Sequence, residues 1–193
     1  YLDELLGAMR GPCDAAFPDP SPILSEEFAR EFRATLLIHH YFLKSPLATN
    51  SFEAAFVRAA RAAGHAVTQA PDGQRFWDVE IDGRKISLKS TAQKGLKVKT
   101  LHISKLCEAA WIQDMRGAAQ REGATKNLFA EYTTAVDSII QLRLFKAKAF
   151  YELVEIPSTL LAQVASVPRA EFAPDGPSIG IPVGQDPPDF TLK

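Results

Sequence analysis

A two-residue Asp-Gly link between two alternating segments constrains the fold of this chain more than any other feature of its sequence. Apolar and polar residues alternate over residues 76–81 and 84–90, and Asp82 and Gly83 stand between them. Alternation with a period of two is typical of a strand that buries one face. Asp-Gly favours the tight turn in which both central residues have positive φ angles. The sequence therefore predicts an antiparallel β-hairpin that turns at Asp82 and Gly83.

The turn also fixes which residues lie opposite each other in the hairpin. Asp78 is predicted to pair with Ser87, and Glu80 with Lys85, and successive side chains point to opposite faces. One face is predicted to be a core surface and carries Trp77, Val79, Ile81, Ile86 and Leu88. The other face is predicted to carry Phe76, Asp78, Glu80, Lys85, Ser87 and Lys89. A carboxylate and a lysine are therefore expected close together on a strand pair whose opposite face is anchored in the core.

The remaining periodicity predicts further helices and strands. Helices are expected at residues 2–9, 26–43 and 104–135, and from Asn50 or Ser51 to Gly64. Ser25 is the predicted N-cap of the second helix, and an interruption is expected near Gly123. A short helix is expected to follow Ser158, which is predicted to cap it. Further strands are expected at residues 66–69, 96–103, 139–145, 149–156 and 179–183. Helices in front of a hairpin-rich sheet, with more helix and strands behind it, indicate an α+β fold, a mixed α/β/α sandwich.

A chain of 193 residues is expected to form a single domain with one core. Residues 1–46 are predicted to be an N-terminal helical segment packed on that core, residues 47–166 the core itself, and residues 167–193 a Pro- and Gly-rich extension. No apolar run approaches the roughly 20 residues that cross a bilayer, and no signal peptide is visible. Cys13 and Cys107 form neither a disulfide framework nor a zinc motif, which favours a reducing, intracellular setting.

A stretch of basic residues follows the hairpin turn, although the whole chain has a formal net charge of only -1. Between Gly83 and Cys107 there is no Asp or Glu, and the basic residues are Arg84, Lys85, Lys89, Lys94, Lys97, Lys99 and Lys105. A stretch of one sign predicts a surface that faces phosphate groups, and an ordinary solvated surface is the open alternative. Contacts with nucleic acid are predicted for Gln93, Lys94, Lys97, Lys99, Thr100 and His102. A structural role is the open alternative for His102.

The polar face of the hairpin carries the groups that metal-assisted hydrolysis of a phosphodiester requires. Mg²⁺ prefers oxygen ligands, which Asp78 and the backbone carbonyl group of Leu88 are predicted to supply. The cation would lower the pKa of a bound water molecule and offset the charge that gathers on the phosphate oxygens. Lys89 is predicted to orient the attacking water molecule or to stabilise the transition state. Asp78 and Lys89 as ordinary exposed strand residues are the open alternative.

This arrangement resembles the PD-(D/E)xK nuclease superfamily, in which an acidic residue on one strand is followed across a turn by an acidic residue, any residue and lysine. Asp78 matches the first acidic residue, and Ser87-Leu88-Lys89 matches the second motif with serine in place of the carboxylate. The resemblance covers residues 50–104. It implies a restriction-endonuclease-like core, a central mixed sheet flanked by helices, and a metal-dependent DNA endonuclease that uses Mg²⁺, with Mn²⁺ as the alternative ion.

The serine implies that a second carboxylate comes from elsewhere in the chain. In this superfamily a glutamate on a preceding helix often joins the metal site, and Glu53 matches it. Glu80 is the second candidate because it shares a predicted face with Asp78. Both glutamates have structural alternatives. Glu53 is placed to complete a capping box that starts at Asn50, and Glu80 to form a cross-strand ion pair with Lys85.

The resemblance implies a type II restriction endonuclease that acts on double-stranded DNA as a homodimer in the cytoplasm of a prokaryote. A toxin or repair nuclease of the same fold is one alternative. A non-catalytic nucleic-acid-binding or interaction domain on the same scaffold, with Ser87 marking a lost active site, is another. The first residue is Tyr1 rather than Met, so a trimmed chain is also left open.

Overall fold

The structure, a computed structural model, describes residues 1–9, 16, 21–47, 49–103, 105–107, 109–146, 150–175, 181–184 and 188–192. Its α-helices are α1 (Leu2–Met9), α2 (Glu26–Phe42), α3 (Thr49–Ala62) and α4 (Ala118–Ala135). Its strands are β1 (Val67–Gln69), β2 (Val79–Ile81), β3 (Arg84–Thr91), β4 (Ser138–Phe145), β5 (Phe150–Pro157), β6 (Ile181–Val183) and β7 (Phe190–Leu192). Short 3₁₀ helices cover Ala110–Asp114, Ser158–Ser166 and Arg169–Glu171. The predicted α+β class is confirmed.

Aromatic side chains join α2 to α3 in front of the sheet. α2 begins after Ser25, whose Oγ atom accepts a hydrogen bond from the N–H group of Phe28, so the predicted N-cap is confirmed. The ring centroids of Phe28 and Phe56 lie 5.0 Å apart, and those of Phe32 and Phe52 lie 6.0 Å apart. All four rings are buried in the cluster that packs α2 and α3 against the sheet.

Strands β1 to β5 form one mixed sheet in the order β1-β2-β3-β4-β5. The pairs β1–β2, β2–β3 and β4–β5 are antiparallel, whereas β3 and β4 are parallel. The connection between the two parallel strands contains α4, because parallel neighbours need a long crossover rather than a tight turn. β6 and β7 form a separate two-stranded sheet.

The predicted hairpin turn is confirmed, and so is its register up to Val79. Asp82 and Gly83 have φ angles of 49° and 81°, as the two-residue turn requires. Val79 pairs with Ile86. The Oδ1 atom of Asp82 accepts a hydrogen bond of 2.9 Å from the N–H group of Ala66. This bond ties the turn to the chain that enters β1.

The sheet separates two apolar clusters, which gives the molecule the layers of an α/β/α sandwich. The cluster on the side of α2 and α3 contains the hairpin residues Val79, Ile81, Ile86 and Leu88, as the alternation predicts. The cluster on the side of α4 contains residues from the C-terminal part of the chain, namely Phe172, Ile181 and Val183. The apolar face of the hairpin therefore packs against α2 and α3, and its opposite face is on the side of α4.

The first strand of the hairpin is shorter than predicted. Phe76 has a φ angle of 78°, which interrupts an extended strand, and β2 begins only at Val79. Trp77 consequently packs with the cluster around α4, so its predicted place on the other core face is wrong. Asp78 still donates a backbone hydrogen bond of 2.9 Å to the carbonyl group of Ile86.

The strand predicted at residues 96–103 is wrong, because this segment consists of turns and loop. Its carbonyl groups bind side chains of β4 instead of a neighbouring strand. The guanidinium group of Arg143 donates to the carbonyl oxygen of Lys97, and the amide group of Gln141 donates to that of His102. Backbone groups that are satisfied in this way need no partner strand.

Two helical predictions also need correction. The break before α4 falls at Gly117, which has a φ angle of 96°, whereas Gly123 lies inside α4. Ser158 opens a 3₁₀ helix, but its hydroxyl group donates to the carbonyl group of Val136 instead of capping that helix. α3 begins at Thr49, just before the predicted start.

The other predicted helices and strands are confirmed within a few residues of their ends. Some predicted positions lie outside the described residues, namely Cys13, Ser104, Ala149, Ile179 and Gly180. Among the helices that the structure describes, none combines the length and the apolar character that crossing a lipid bilayer demands.

Replacing Phe56 by alanine is expected to lower the free energy of unfolding by about 3 to 5 kcal/mol, because a fully buried ring would leave a cavity. Urea unfolding monitored by circular dichroism measures the change. The matched control is Phe42→Ala at the end of α2, where the side chain is 55% exposed and the expected loss is about 0.5 kcal/mol. Equal losses in the two variants would contradict the assigned core.

Candidate active site

The candidate site centres on Asp78, which lies one residue before β2. Its Oδ2 atom accepts a hydrogen bond of 2.5 Å from the N–H group of Leu88 and one of 3.4 Å from the Oγ atom of Ser87. These bonds fix the carboxylate against β3, across the hairpin. Both go to Oδ2, so within the described part of the chain the Oδ1 atom accepts no hydrogen bond from the protein.

Ser87 is fully buried on the side of the sheet that faces α4. The hydroxyl group of Tyr132, from α4, adjoins it. Burial raises the pKa of Tyr132 far above its ordinary value, the Ser87 hydroxyl group opposes this in part, and the charges of Cys107 and Asp78 add to it. The phenol is therefore neutral at any working pH. The free-energy cost of burying the neutral Ser87 hydroxyl group beside Asp78 is far lower than that of burying a second carboxylate there.

Lys89 lies two residues beyond Ser87 on β3, so the two side chains leave the same face of the sheet. Lys89 is half-buried and pairs in parallel register with Gln141 of β4. Burial raises the pKa of the Cys107 thiol, and the positive charges of Arg75 and Lys89 oppose that effect. Lys89 is therefore within electrostatic reach of Cys107, which packs against the cluster on the side of α4.

Glu53 lies beside the hairpin on α3. Its Oε1 atom accepts a hydrogen bond of 3.2 Å from Nε2 of Gln69. Gln69 pairs with Val79, the residue after Asp78, so Glu53 is at the level of Asp78 but next to the edge strand. A capping box does not account for Glu53, because α3 already begins at Thr49. Its place in a metal site stays a prediction.

Glu80 lies opposite Lys85 in the hairpin, as predicted. The Lys85 ammonium group lies over the ring of Trp77, 5.6 Å from the ring centroid. Within the described residues no three histidine, cysteine, aspartate or glutamate side chains are grouped closely enough to hold a metal ion. The metal-ligand roles of Glu80 and of the Leu88 carbonyl group therefore stay predictions.

The residues predicted to contact nucleic acid lie on a loop that we call the lysine-rich segment, residues 93–102. All of them are exposed, namely Gln93, Lys94, Lys97, Lys99, Thr100 and His102. The backbone of the segment is held by Gln141 and Arg143, which lie on β4. Gln141 pairs with Lys89 and Arg143 with Thr91 in the parallel ladder. The lysine-rich segment and Lys89 therefore share one side of the sheet.

Three residues of this region were missed by the sequence analysis, namely Tyr132, Gln141 and Arg143. Tyr132 gives no local signal, since an aromatic residue in a helix is most simply part of a core. Gln141 and Arg143 do give one. They alternate with apolar residues in β4, a strand whose residues are all buried. A buried polar side chain needs hydrogen-bond partners, so each of them marks a structural or functional contact.

Comparisons with known proteins agree on one family. The family model described as "SmaI: Type II site-specific deoxyribonuclease" matches residues 11–182. The type II restriction enzyme SmaI of Serratia marcescens is similar to this chain, with 28% identity over 148 residues, which are 73% of this chain and 56% of that enzyme. The chain thus spans little more than half the length of the curated relative that it matches. No solved structure matches the chain.

Proposed function

Because the chain belongs to the SmaI family of type II site-specific deoxyribonucleases, we propose that it is a type II restriction endonuclease that hydrolyses double-stranded DNA with Mg²⁺. The observation that carries this proposal is the arrangement of Asp78, Ser87 and Lys89. A carboxylate fixed by the N–H group of Leu88 shares one sheet face with a half-buried lysine. The hairpin that bears both is anchored in the core by its other face.

The groups around Asp78 fit Mg²⁺ better than a cation that needs a complete protein cage. Mg²⁺ is usually held by one or two carboxylates together with water molecules and substrate phosphate groups. Asp78 has an oxygen atom, Oδ1, that accepts no hydrogen bond from the described residues. Glu53 is the proposed second carboxylate, with Glu80 and the carbonyl group of Leu88 as further candidates. When bound, Mg²⁺ would supply Lewis-acid stabilisation of charge on the phosphate and a more acidic water molecule.

The residues of the chain have separate roles in this proposal. Asp78 binds the cation and is oriented by the bonds from Leu88 and Ser87. Lys89 donates from its ammonium group to the attacking water molecule or to the phosphate oxygens, where negative charge gathers in the transition state. Tyr132 supplies a neutral hydroxyl group beside Ser87 and near the charge of Asp78.

The lysine-rich segment is the proposed contact surface for DNA. Its charged side chains are exposed, and it lies on the same side of the sheet as Lys89. Lysine contacts with phosphate groups position a protein on the duplex, and Gln93 and His102 are the proposed contacts with base edges. A homodimer is the proposed assembly, because a two-fold axis matches the symmetry of a palindromic site.

A second candidate function is binding of nucleic acid without cleavage. It is favoured by the buried serine at position 87, where the PD-(D/E)xK pattern has a carboxylate. In this case the lysine-rich segment would still bind nucleic acid, but the protein would not hydrolyse phosphodiester bonds.

Cleavage of duplex DNA by the protein is expected to require Mg²⁺ and to stop when EDTA is added, because Asp78 alone cannot activate water. Adding excess Mn²⁺ is expected to restore cleavage, since it accepts the same oxygen ligands. Gel electrophoresis of a digested plasmid measures both effects, and circular dichroism in EDTA controls for the fold. Cleavage that persists in EDTA would contradict the metal requirement. Tight DNA binding without cleavage in either ion would favour the second candidate.

A further inference from the structure

We propose that Arg143 is a positioning residue that holds the lysine-rich segment in a preformed, DNA-contacting conformation, an inference that rests on the function proposed above. The guanidinium group donates to the carbonyl oxygens of Lys97 at 2.6 Å, Thr100 at 2.9 Å and Val98 at 3.5 Å. It also forms an ion pair with Glu152, its neighbour on β5. One side chain thus binds carbonyl groups at several points of the same loop.

Burial shows that Arg143 acts through the loop and not by touching DNA itself. Its side chain is 1% exposed, so no phosphate group reaches it. Its charge is paired with Glu152 and its Nη1 and Nη2 atoms donate to the carbonyl groups of the loop, which offsets the cost of burying a guanidinium group. Arginine suits this task because its planar fork donates in several fixed directions, which a lysine ammonium group does not reproduce.

Gln141 provides a second anchor at the end of the segment. Its Nε2 atom donates a hydrogen bond of 2.8 Å to the carbonyl oxygen of His102, and its own side chain is buried. Gln141 pairs with Lys89 in the sheet. The anchors therefore tie the position of the segment to the strand that carries the candidate catalytic lysine.

A fixed backbone changes how the exposed lysines bind. Lys94, Lys97 and Lys99 project from a loop whose carbonyl groups are already held. A loop that is ordered before binding loses little conformational entropy when it binds DNA, so its affinity is higher than that of a disordered loop. Loss of the anchor should therefore weaken binding of DNA while every lysine is still present.

Limited trypsin digestion without DNA tests the anchoring by itself. In Arg143→Lys a charge remains opposite Glu152, but the fork that spans the loop is lost. Cleavage after Lys94, Lys97 and Lys99 is expected to become about tenfold faster, because proteolysis follows the population of locally open chain. The matched control is Arg84→Lys, which alters the partly buried ion pair with Glu155 on the same sheet and is expected to leave this cleavage unchanged.

Binding of duplex DNA in EDTA tests the consequence for function. Arg143→Lys is expected to weaken binding about tenfold with an unchanged dependence on salt, since the lysines that meet phosphate groups are retained. The comparison variant Lys97→Gln/Lys99→Gln keeps the anchor and removes two charges. It is expected to reduce the slope of log K against log salt by about 2. The two variants thus separate ordering of the loop from its charge.

Wild-type trypsin resistance in Arg143→Lys would overturn the proposal, and so would an opened segment with unchanged affinity for DNA. If Arg143→Lys fails to fold, the variant Arg143→Gln/Glu152→Gln, which removes both charges together, decides the same question. Wild-type protein that binds no duplex DNA would overturn both the proposed function and the DNA-contacting role. The trypsin comparison would still decide the anchoring, so the two failures are distinguishable.

Discussion

Asp78→Asn is expected to lower the rate of DNA cleavage by about a thousandfold at a fixed concentration of Mg²⁺. The substitution replaces a charged oxygen ligand with a neutral amide group and so weakens the proposed metal site. The amide oxygen can still accept the hydrogen bond from the N–H group of Leu88, so the hairpin is expected to persist. Single-turnover cleavage measured over a series of Mg²⁺ concentrations tests this, and higher Mg²⁺ is expected to recover part of the rate.

Asp82→Asn is the matched control, because Asp82 is a carboxylate of the same hairpin that bonds His65 and Ala66 and has no proposed part in the metal site. Hydrogen bonds from His65 and from the Ala66 N–H group hold the pKa of Asp82 below its ordinary value. Loss of its charge is therefore expected to lower thermal stability and leave the cleavage rate unchanged. Equal loss of cleavage in the two variants would mean that the hairpin had been damaged, and would contradict a specific role for Asp78.

Lys89→Met is expected to lower the cleavage rate by about a hundredfold or more at saturating Mg²⁺. Methionine keeps much of the length of the side chain and removes the ammonium group that is proposed to act in the transition state. The concentration of Mg²⁺ at half-maximal rate is expected to stay the same, because Lys89 is not a proposed metal ligand. This pattern differs from that of Asp78→Asn, and the same series of single-turnover measurements distinguishes them.

Lys85→Met is the control for this second variant. Lys85 lies on the same strand, but its ammonium group packs over the ring of Trp77, so its loss is expected to leave cleavage unchanged. A cleavage rate of Lys89→Met that equals the wild-type rate would remove Lys89 from the mechanism. A loss of DNA binding in Lys89→Met without a change in the rate of bound complexes would make it a binding residue instead.

The hairpin could be predicted from sequence because all the information it needs is local. Asp82-Gly83 determines the turn, and the alternation on both sides determines which face is buried. The structure confirms the turn and the pairing of Val79 with Ile86. The prediction failed at Phe76, whose positive φ angle interrupts the alternation and sends Trp77 to the other cluster. No local sequence pattern predicts a positive φ angle at a phenylalanine.

Contacts between distant parts of the chain escaped prediction. The pairing of β3 with β4 in parallel joins segments that are separated by α4. The segment at residues 96–103 looks like a strand because apolar and basic residues alternate in it. The side chain of Arg143, more than 40 residues further along, binds its carbonyl groups instead. Tyr132 reaches Ser87 only through the same tertiary packing.

Digestion of a long DNA of known sequence tests whether the protein is a Mg²⁺-dependent nuclease that uses Asp78 and Lys89. Wild-type protein, Asp78→Asn and Lys89→Met are compared with Mg²⁺ and with EDTA, at concentrations where each variant is folded. Discrete fragments are expected from the wild-type protein with Mg²⁺ and not with EDTA, and intact DNA is expected from both variants over the same time. Fragments of undiminished intensity from either variant, or intact DNA from folded wild-type protein with Mg²⁺, would contradict it.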